Sequence, residues 1–158
     1  MLDLIAEKAG ASWEGGTSKF GGELGKGTVL SQNCTLLKPM TFMNKSGRSA
    51  AEVLRFFKVS PREMIVLYDD LDVPAGKVKA REGGGHGGHN GVRSIMEDAG
   101  VADFHRIKLG IGRPPHPGES AVTGWVLGKM TDAELLGLQN EMLNDVMIRL
   151  KGIFDKSV

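Results

Sequence analysis

Apolar and polar residues follow two periods along this chain, one typical of helices and one typical of strands. Helical spacing predicts helices over residues 1–9, 44–57 and 91–99, and a capping box at residues 131–134 predicts the start of a last helix. Apolar runs and alternation predict strands over residues 28–37, 64–68, 77–81 and 105–111. The length of 158 residues suits one domain over residues 1–158, and no repeat is visible.

The segments around these elements add more specific predictions. Residues 11–27 hold six glycines and indicate a loop or a loose hairpin. A second capping box at residues 60–63 predicts a short helical turn. The apolar run 64–68 predicts a strand buried on both faces, and residues 113–118 predict a stiff, exposed loop or lid. The last helix is expected to bury one stripe: Leu135, Leu138, Met142, Val146 and Leu150.

Composition narrows the class of protein. The charged fraction of 25% and the hydrophobic fraction of 41% are ordinary for a soluble domain. No apolar run reaches the roughly 18 residues that span a bilayer, and the acidic start does not resemble a signal peptide. The single cysteine, Cys34, excludes an internal disulfide and is typical of a reducing compartment. From these features together we expect a cytoplasmic location and no membrane partner.

Positive charge is concentrated on two predicted strands although the net charge is only +1. Lys77, Lys79 and Arg81 alternate with small apolar residues, which places all three on one face of a strand. Arg106 and Lys108 repeat this spacing. Such stripes either bind phosphates or form a solvated outer face, and the spacing alone favours neither.

Residues 79–91 form the most glycine-rich segment and indicate a substrate-binding loop rather than an unstructured linker. The spacing of His86 and His89 is compatible with a metal, but the chain has too few further ligands, so no metal site is expected. The glycines also fit a dinucleotide fingerprint, yet Asp103 precedes the next strand instead of following it, so we discount a nucleotide and expect no cofactor.

Polar side chains near the ends of predicted strands are the remaining candidates for chemistry. They are two amides, an imidazole and three carboxylates: Asn44, Asn90, His89, Asp69, Asp70 and Asp72. This set suits the binding of a polar ester or amide and the positioning of a water molecule. Alternatives stay open, since Asn44 is also suited to cap a helix and the acids to occupy an exposed turn.

Four segments together resemble the bacterial-type peptidyl-tRNA hydrolases. They are residues 40–47, with the pattern T-F-M-N-x-S-G, and residues 68–76, 83–91 and 104–112. The resemblance covers essentially the whole chain. It implies an α/β fold with one mixed, twisted β-sheet and helices on both faces, a monomer, and cleavage of the ester between a peptide and the acceptor end of tRNA.

The resemblance also implies residue roles. Asn44 and Asn90 correspond to amides that hold the substrate near the scissile ester, with Phe42, Met43 and His89 as further substrate-binding residues. Asp69 corresponds to the carboxylate that keeps the catalytic histidine basic. Arg81 and Lys108 correspond to a clamp on a tRNA phosphate, with the two residue types exchanged relative to the usual family pattern.

One departure concerns the start of the family pattern, which has a strand ending in G-L-G-N-P-G and then an R-H-N segment. The first histidine here is His86, so the comparison implies that the first strand and the catalytic histidine are missing from this chain. We therefore expect a peptidyl-tRNA hydrolase domain with a truncated N-terminus, which is inactive because it lacks the catalytic histidine. The alternatives are a non-catalytic RNA-binding relative, since chloroplast intron-splicing factors also resemble this family, and a glycine-loop phosphate binder.

Overall fold

A computed structural model of the protein describes residues 1–14 and 19–156. The chain divides into two compact units. The hairpin unit consists of Leu2–Ile65 and Glu82–His105, and the sheet unit consists mainly of Val66–Arg81 and the residues from Arg106 onward. Helices and strands are both present throughout, which confirms the predicted α/β class, but the described strands form two three-stranded sheets rather than one.

The hairpin unit begins with helix α1 (Leu2–Lys8), which ends near Gly10 as predicted. Strands β1 (Ser12–Trp13), β2 (Gly22–Val29) and β3 (Gln32–Pro39) form an antiparallel sheet in that order. The pairing of β1 with β2 confirms the hairpin alternative for residues 11–27, of which residues 15–18 lie outside the described part.

The strand predicted over residues 28–37 is instead the end of β2, a two-residue turn and most of β3. The turn residues Leu30 and Ser31 have φ values of 48° and 68°. Tight hairpin turns need this left-handed conformation, which is usually taken by glycine or asparagine. The sequence therefore carries no turn signal at this point, and the prediction of one continuous strand was wrong.

Two further helices complete the hairpin unit: α2 (Ser46–Phe57) and α3 (Asn90–Ala99). Both agree with prediction to within about two residues. The predicted capping box at Ser60 and Glu63 is also confirmed, since Glu63 accepts a hydrogen bond from the Ser60 N–H at 2.9 Å. Phe20, Leu24 and Val53 are buried together between the hairpin and α2.

The second sheet contains β4 (Ile65–Asp70), β5 (Val78–Glu82) and β6 (His105–Gly110) in the order β4-β6-β5. His105 N donates to Met64 O and Ile111 N to Asp70 O, so β4 and β6 are parallel. Gly83 N donates to Phe104 O and Gly110 N to Lys77 O, so β6 and β5 are antiparallel. The sheet is therefore mixed, as predicted.

The expectation that β4 is buried on both faces was wrong. Tyr68 is its only buried residue, and its other residues are half-buried. β4 pairs with β6 alone in the described sheet. An apolar run by itself does not ensure that both faces of a strand are covered by helices.

The C-terminal region contains α4 (Glu119–Leu127), α5 (Asp132–Gly137) and α6 (Leu143–Lys156). The capping box at Thr131 and Glu134 is confirmed. Helix α4 was not predicted, because its apolar residues do not follow one face of a helix and none of them is buried. Met142, Val146 and Leu150 are buried as expected, but Leu135 is 45% exposed and Leu138 only half-buried, so the predicted core stripe starts later.

None of the helices described here combines the length and the apolar character needed to cross a membrane.

Residues 111–118 form no helix or strand, and most of residues 113–118 are exposed, in agreement with the predicted loop. A role for that loop as a lid stays a prediction.

Candidate active site

Phe42, Met43 and Asn44 lie at the start of the helix α2 region in the hairpin unit. Residues Met43–Lys45 form a turn of 3₁₀ helix, in which Lys45 N donates to Phe42 O at 2.8 Å. All three side chains are exposed, and Phe42 is 80% exposed. The N-cap of α2 is Lys45, without a side-chain cap bond, so the alternative in which Asn44 caps this helix is wrong.

His89 and Asn90 lie at the start of α3. His89 is the N-cap residue, and its Nδ1 accepts a hydrogen bond from Val92 N at 3.2 Å. A neutral imidazole that accepts at Nδ1 carries its proton on Nε2. The cap hydrogen bond occupies the Nδ1 lone pair, which suits a substrate-binding role better than proton abstraction from water.

A close crossing of α2 and α3 brings these two groups together. Gly47 N donates to Ser94 Oγ at 2.9 Å, and a Cβ on Gly47 would overlap the Ser94 backbone carbonyl. A Cβ on Gly91 would lie 3.0 Å from both Met43 Cγ and His89 Cε1. The glycines thus allow the Met43 turn to lie against the start of α3.

Gly47 and Ser94 were not predicted as functionally relevant, although Gly47 ends the T-F-M-N-x-S-G pattern. Both are buried, and together they determine how α2 is placed on α3. A glycine followed by helix-forming residues within a helical pattern is a local sign of close helix packing. Its partner, 47 residues further along, has no such sign.

The amides of Asn44 and Asn90 are both exposed. Within residues 1–14 and 19–156, neither side-chain amide forms a hydrogen bond with another residue. Each offers two N–H donors and one carbonyl acceptor. The arrangement therefore presents amide groups, an imidazole and an exposed aromatic side chain from one unit, a set suited to holding a polar ester beside an apolar group.

Asp69 lies near the end of β4 in the sheet unit and is half-buried. Side chains alternate between the faces of a strand, so Asp69 lies on the opposite face from Tyr68 and Asp70. The five substrate-binding candidates belong to the hairpin unit, and Asp69 belongs to the sheet unit. Its role beside a catalytic histidine stays a prediction.

Lys108 on β6 is paired with Asp70 on β4. Its Nζ lies 2.7 Å from Asp70 Oδ2 and 5.9 Å from the centre of the Tyr68 ring. The side chains are only 25% and 12% exposed. A second Asp70 oxygen accepts a hydrogen bond from Asp72 N at 2.7 Å, so the carboxylate is held from two sides.

These contacts alter the protonation of both groups. The hydrogen bond from Asp70 raises the pKa of the Lys108 ammonium, against the opposing effects of partial burial and of the Arg81 charge. Burial by itself would raise the pKa of the Asp70 carboxyl, but the bonds from Lys108 and from the Asp72 backbone outweigh it and lower that pKa. Both groups are therefore charged near neutral pH.

The other cations of the two stripes have different surroundings. Lys77, Lys79 and Arg81 are exposed, and Arg81 forms no ion pair with any described residue. Arg106 is 1% exposed, so for this residue neither the phosphate-binding nor the solvated-face interpretation is correct. The phosphate clamp expected at Arg81 and Lys108 thus consists of one exposed guanidinium and one ammonium that already has a carboxylate partner.

Comparison with known proteins gives a consistent result. The family described as peptidyl-tRNA hydrolase matches residues 1–158. The chain is 48% identical over 138 residues to the peptidyl-tRNA hydrolase of Geobacter metallireducens, a match covering 87% of this chain and 69% of that protein. A match to that of Geobacter sulfurreducens is 46% identical with the same coverage. The crystal structure of peptidyl-tRNA hydrolase from Acinetobacter baumannii superposes with a TM-score of 0.85 at 32% identity, covering 99% of this chain and 77% of that one.

These matches do not support the expectation that a catalytic segment is missing or that the chain is inactive. They leave the monomeric state, the cytoplasmic location and the single-domain boundary as predictions.

Proposed function

This chain belongs to the peptidyl-tRNA hydrolase family, and we propose that it hydrolyses the ester bond between peptide and tRNA in peptidyl-tRNA. The observation that supports this most directly is the approach of Met43 and His89 to Gly91 at the crossing of α2 and α3, with Asn44 and Asn90 as the next residues in the chain. The relatives reported above carry the name of the hydrolase, which favours this function over a non-catalytic RNA-binding role.

In this proposal Asn44 and Asn90 donate hydrogen bonds to the peptide ester and to the negative charge that develops on its carbonyl oxygen. Hydrogen-bond donors directed at that oxygen stabilise the developing charge. Phe42 and Met43 supply apolar contact for the peptide or the terminal nucleoside, and the His89 imidazole is a further substrate contact. The proposal assigns Asp69 to the support of a general-base imidazole other than His89, because a nearby carboxylate stabilises an imidazolium.

The tRNA contacts of the proposal lie in the sheet unit. Arg81 and Lys108 bind a phosphate near the acceptor end, and they position the tRNA without reading its sequence. Loss of one such contact is expected to reduce the slope of log affinity against log salt by about one. We propose no cofactor for the reaction, since water is the second substrate of an ester hydrolysis.

A single-turnover assay tests the proposal. The purified chain is mixed with N-acetylaminoacyl-tRNA, and release of the acylated amino acid is followed. Asn44→Ala and Asn90→Ala are each expected to slow cleavage by about 10²–10³-fold, the usual cost of losing an oxyanion donor. Asn33→Ala is the matched control, because Asn33 is an exposed amide in the same unit, on β3.

Two results would contradict the proposal in different ways. Absence of cleavage by the unaltered chain, with intact tRNA binding, would favour the RNA-binding alternative. Normal cleavage by both asparagine variants would keep the hydrolase function but remove these amides from its mechanism.

A further inference from the structure

We propose that Asp70 competes with the tRNA phosphate for Lys108 and thereby sets the strength of the phosphate clamp. This inference rests on the proposed clamp at Arg81 and Lys108. It assigns a role to Asp70, for which the family resemblance gave none, and the observation behind it is the 2.7 Å ion pair between Asp70 and Lys108.

Asp70 is a well-anchored partner for the ammonium. Its Oδ1 accepts from Asp72 N at 2.7 Å while its Oδ2 accepts from Lys108. A carboxylate held by backbone donors loses little further conformational freedom when it binds a cation, so its competition with an incoming anion is effective. Because the pair is mostly covered, its attraction is also screened less by salt than that of an exposed pair.

Arg81 provides the contrast within the same proposed clamp. It is exposed and has no ion-pair partner among the described residues. A phosphate therefore gains the full attraction of the guanidinium, but at Lys108 it must share the ammonium with Asp70 or displace it. The two cations are expected to contribute unequally, with Arg81 carrying most of the phosphate affinity.

The inference is tested by binding of uncharged tRNA with a 5′-phosphate, followed by fluorescence anisotropy at several salt concentrations. Asp70→Asn removes the competing charge and leaves an isosteric amide. We expect it to tighten tRNA binding by about threefold to tenfold at low salt, in the range of measured couplings between neighbouring groups. The salt slope should become steeper by up to about one, as Lys108 becomes a full phosphate contact.

Glu82→Gln is the control for charge alone. Glu82 is exposed on β5 next to Arg81 in the chain, and its substitution removes one negative charge without releasing Lys108 from its partner. It should change the affinity by less than Asp70→Asn and leave the salt slope close to that of the unaltered chain. Equal effects of the two substitutions, or weaker binding by Asp70→Asn in a folded protein, would overturn the inference.

A second comparison does not depend on the folding of the Asp70 variant. Arg81→Met is expected to weaken tRNA binding more than Lys108→Met does, because only the lysine is already paired. An equal or larger loss with Lys108→Met would also overturn the inference. These measurements use uncharged tRNA, so a failure of the hydrolase proposal appears only in the cleavage assay and remains distinguishable.

Discussion

At the scale of single residues, neighbouring positions in this chain have different tasks because their surroundings differ. Asp70 is covered and paired with Lys108, whereas Asp72 is exposed and pairs with Arg113, whose Nε lies 2.9 Å from its carboxylate. Exposed pairs of the second kind contribute little to stability, typically about 0–1 kcal/mol. The sequence D-D-L-D therefore contains acids of unequal importance.

His89 combines a capping role with the proposed substrate-binding role, and the two are separable. His89→Ala removes the acceptor for Val92 N and is expected to lower the free energy of unfolding by about 1 kcal/mol. His89→Asn restores a capping side chain and should recover most of that stability. Both substitutions should raise the Michaelis constant for peptidyl-tRNA, because both remove the imidazole. Urea denaturation and steady-state kinetics on both variants check this, and recovery of both properties by asparagine would limit His89 to capping.

At the scale of elements, the site depends on how closely α2 approaches α3. Gly47→Ala forces a methyl group into the Ser94 carbonyl and is expected to destabilise the protein by about 1–3 kcal/mol and to reduce turnover, since Asn44 lies three residues earlier. Gly152→Ala in α6 is the control, because apart from the adjoining residues and the backbone of α6 no atom of the described residues lies within 4 Å of the added methyl. It should stabilise the protein by about 0.5–1 kcal/mol through helix propensity. Equal changes in unfolding free energy for Gly47→Ala and Gly152→Ala would show that the crossing of α2 and α3 tolerates a side chain at residue 47.

The hairpin turn is another element with a testable cost. Leu30 and Ser31 both occupy the left-handed region, which costs a residue with a Cβ about 1–2 kcal/mol. The double substitution Leu30→Asn with Ser31→Gly supplies residues suited to this turn. We expect a rise of at least about 1 kcal/mol in unfolding free energy, measured by urea denaturation, with no change in cleavage rate. An unchanged or lower stability would contradict the assigned turn.

At the scale of the whole molecule, two ion pairs couple stability to pH. The hydrogen bond from Lys38 lowers the pKa of Asp3, and the contacts described above lower that of Asp70. A carboxyl with a lowered folded pKa stabilises the protein above its unfolded pKa of about 3.9, and the contribution disappears as pH falls through the folded value. Lys38 and Lys108 have raised pKa values, so their contribution is complete below about 10.4 and disappears as pH rises further.

The expected result is a plateau of stability between these limits with a decline on either side. Unfolding free energies from pH 3 to pH 11 measure it. Asp70→Asn should reduce the plateau and weaken the decline at both ends, because it removes the partner of Lys108 as well as its own titration. Parallel curves for the variant and the unaltered chain would show that this pair does not contribute to the pH dependence.

The sequence alone determined the features that depend on nearby residues. The capping boxes at Ser60 and Thr131 follow from local hydrogen bonds. The helix predicted over residues 44–57 and the strand predicted over 64–68 follow from the period of apolar residues, and the structure has them at Ser46–Phe57 and Ile65–Asp70. The family resemblance added the detailed fold and the predicted roles of the site residues, because those depend on a pattern spread over the whole chain. The roles stay predictions.

Tertiary structure decided the features that depend on residues distant in the chain. Lys108 is partnered by a carboxylate 38 residues earlier, and Gly47 packs on a serine 47 residues later, so neither contact has a local signal. The turn at Leu30 is held in an unfavourable backbone conformation by the pairing of β2 with β3 on both sides of it. Local propensity is worth a few tenths of a kcal/mol per residue, and contacts made in the folded chain outweigh it wherever the two disagree.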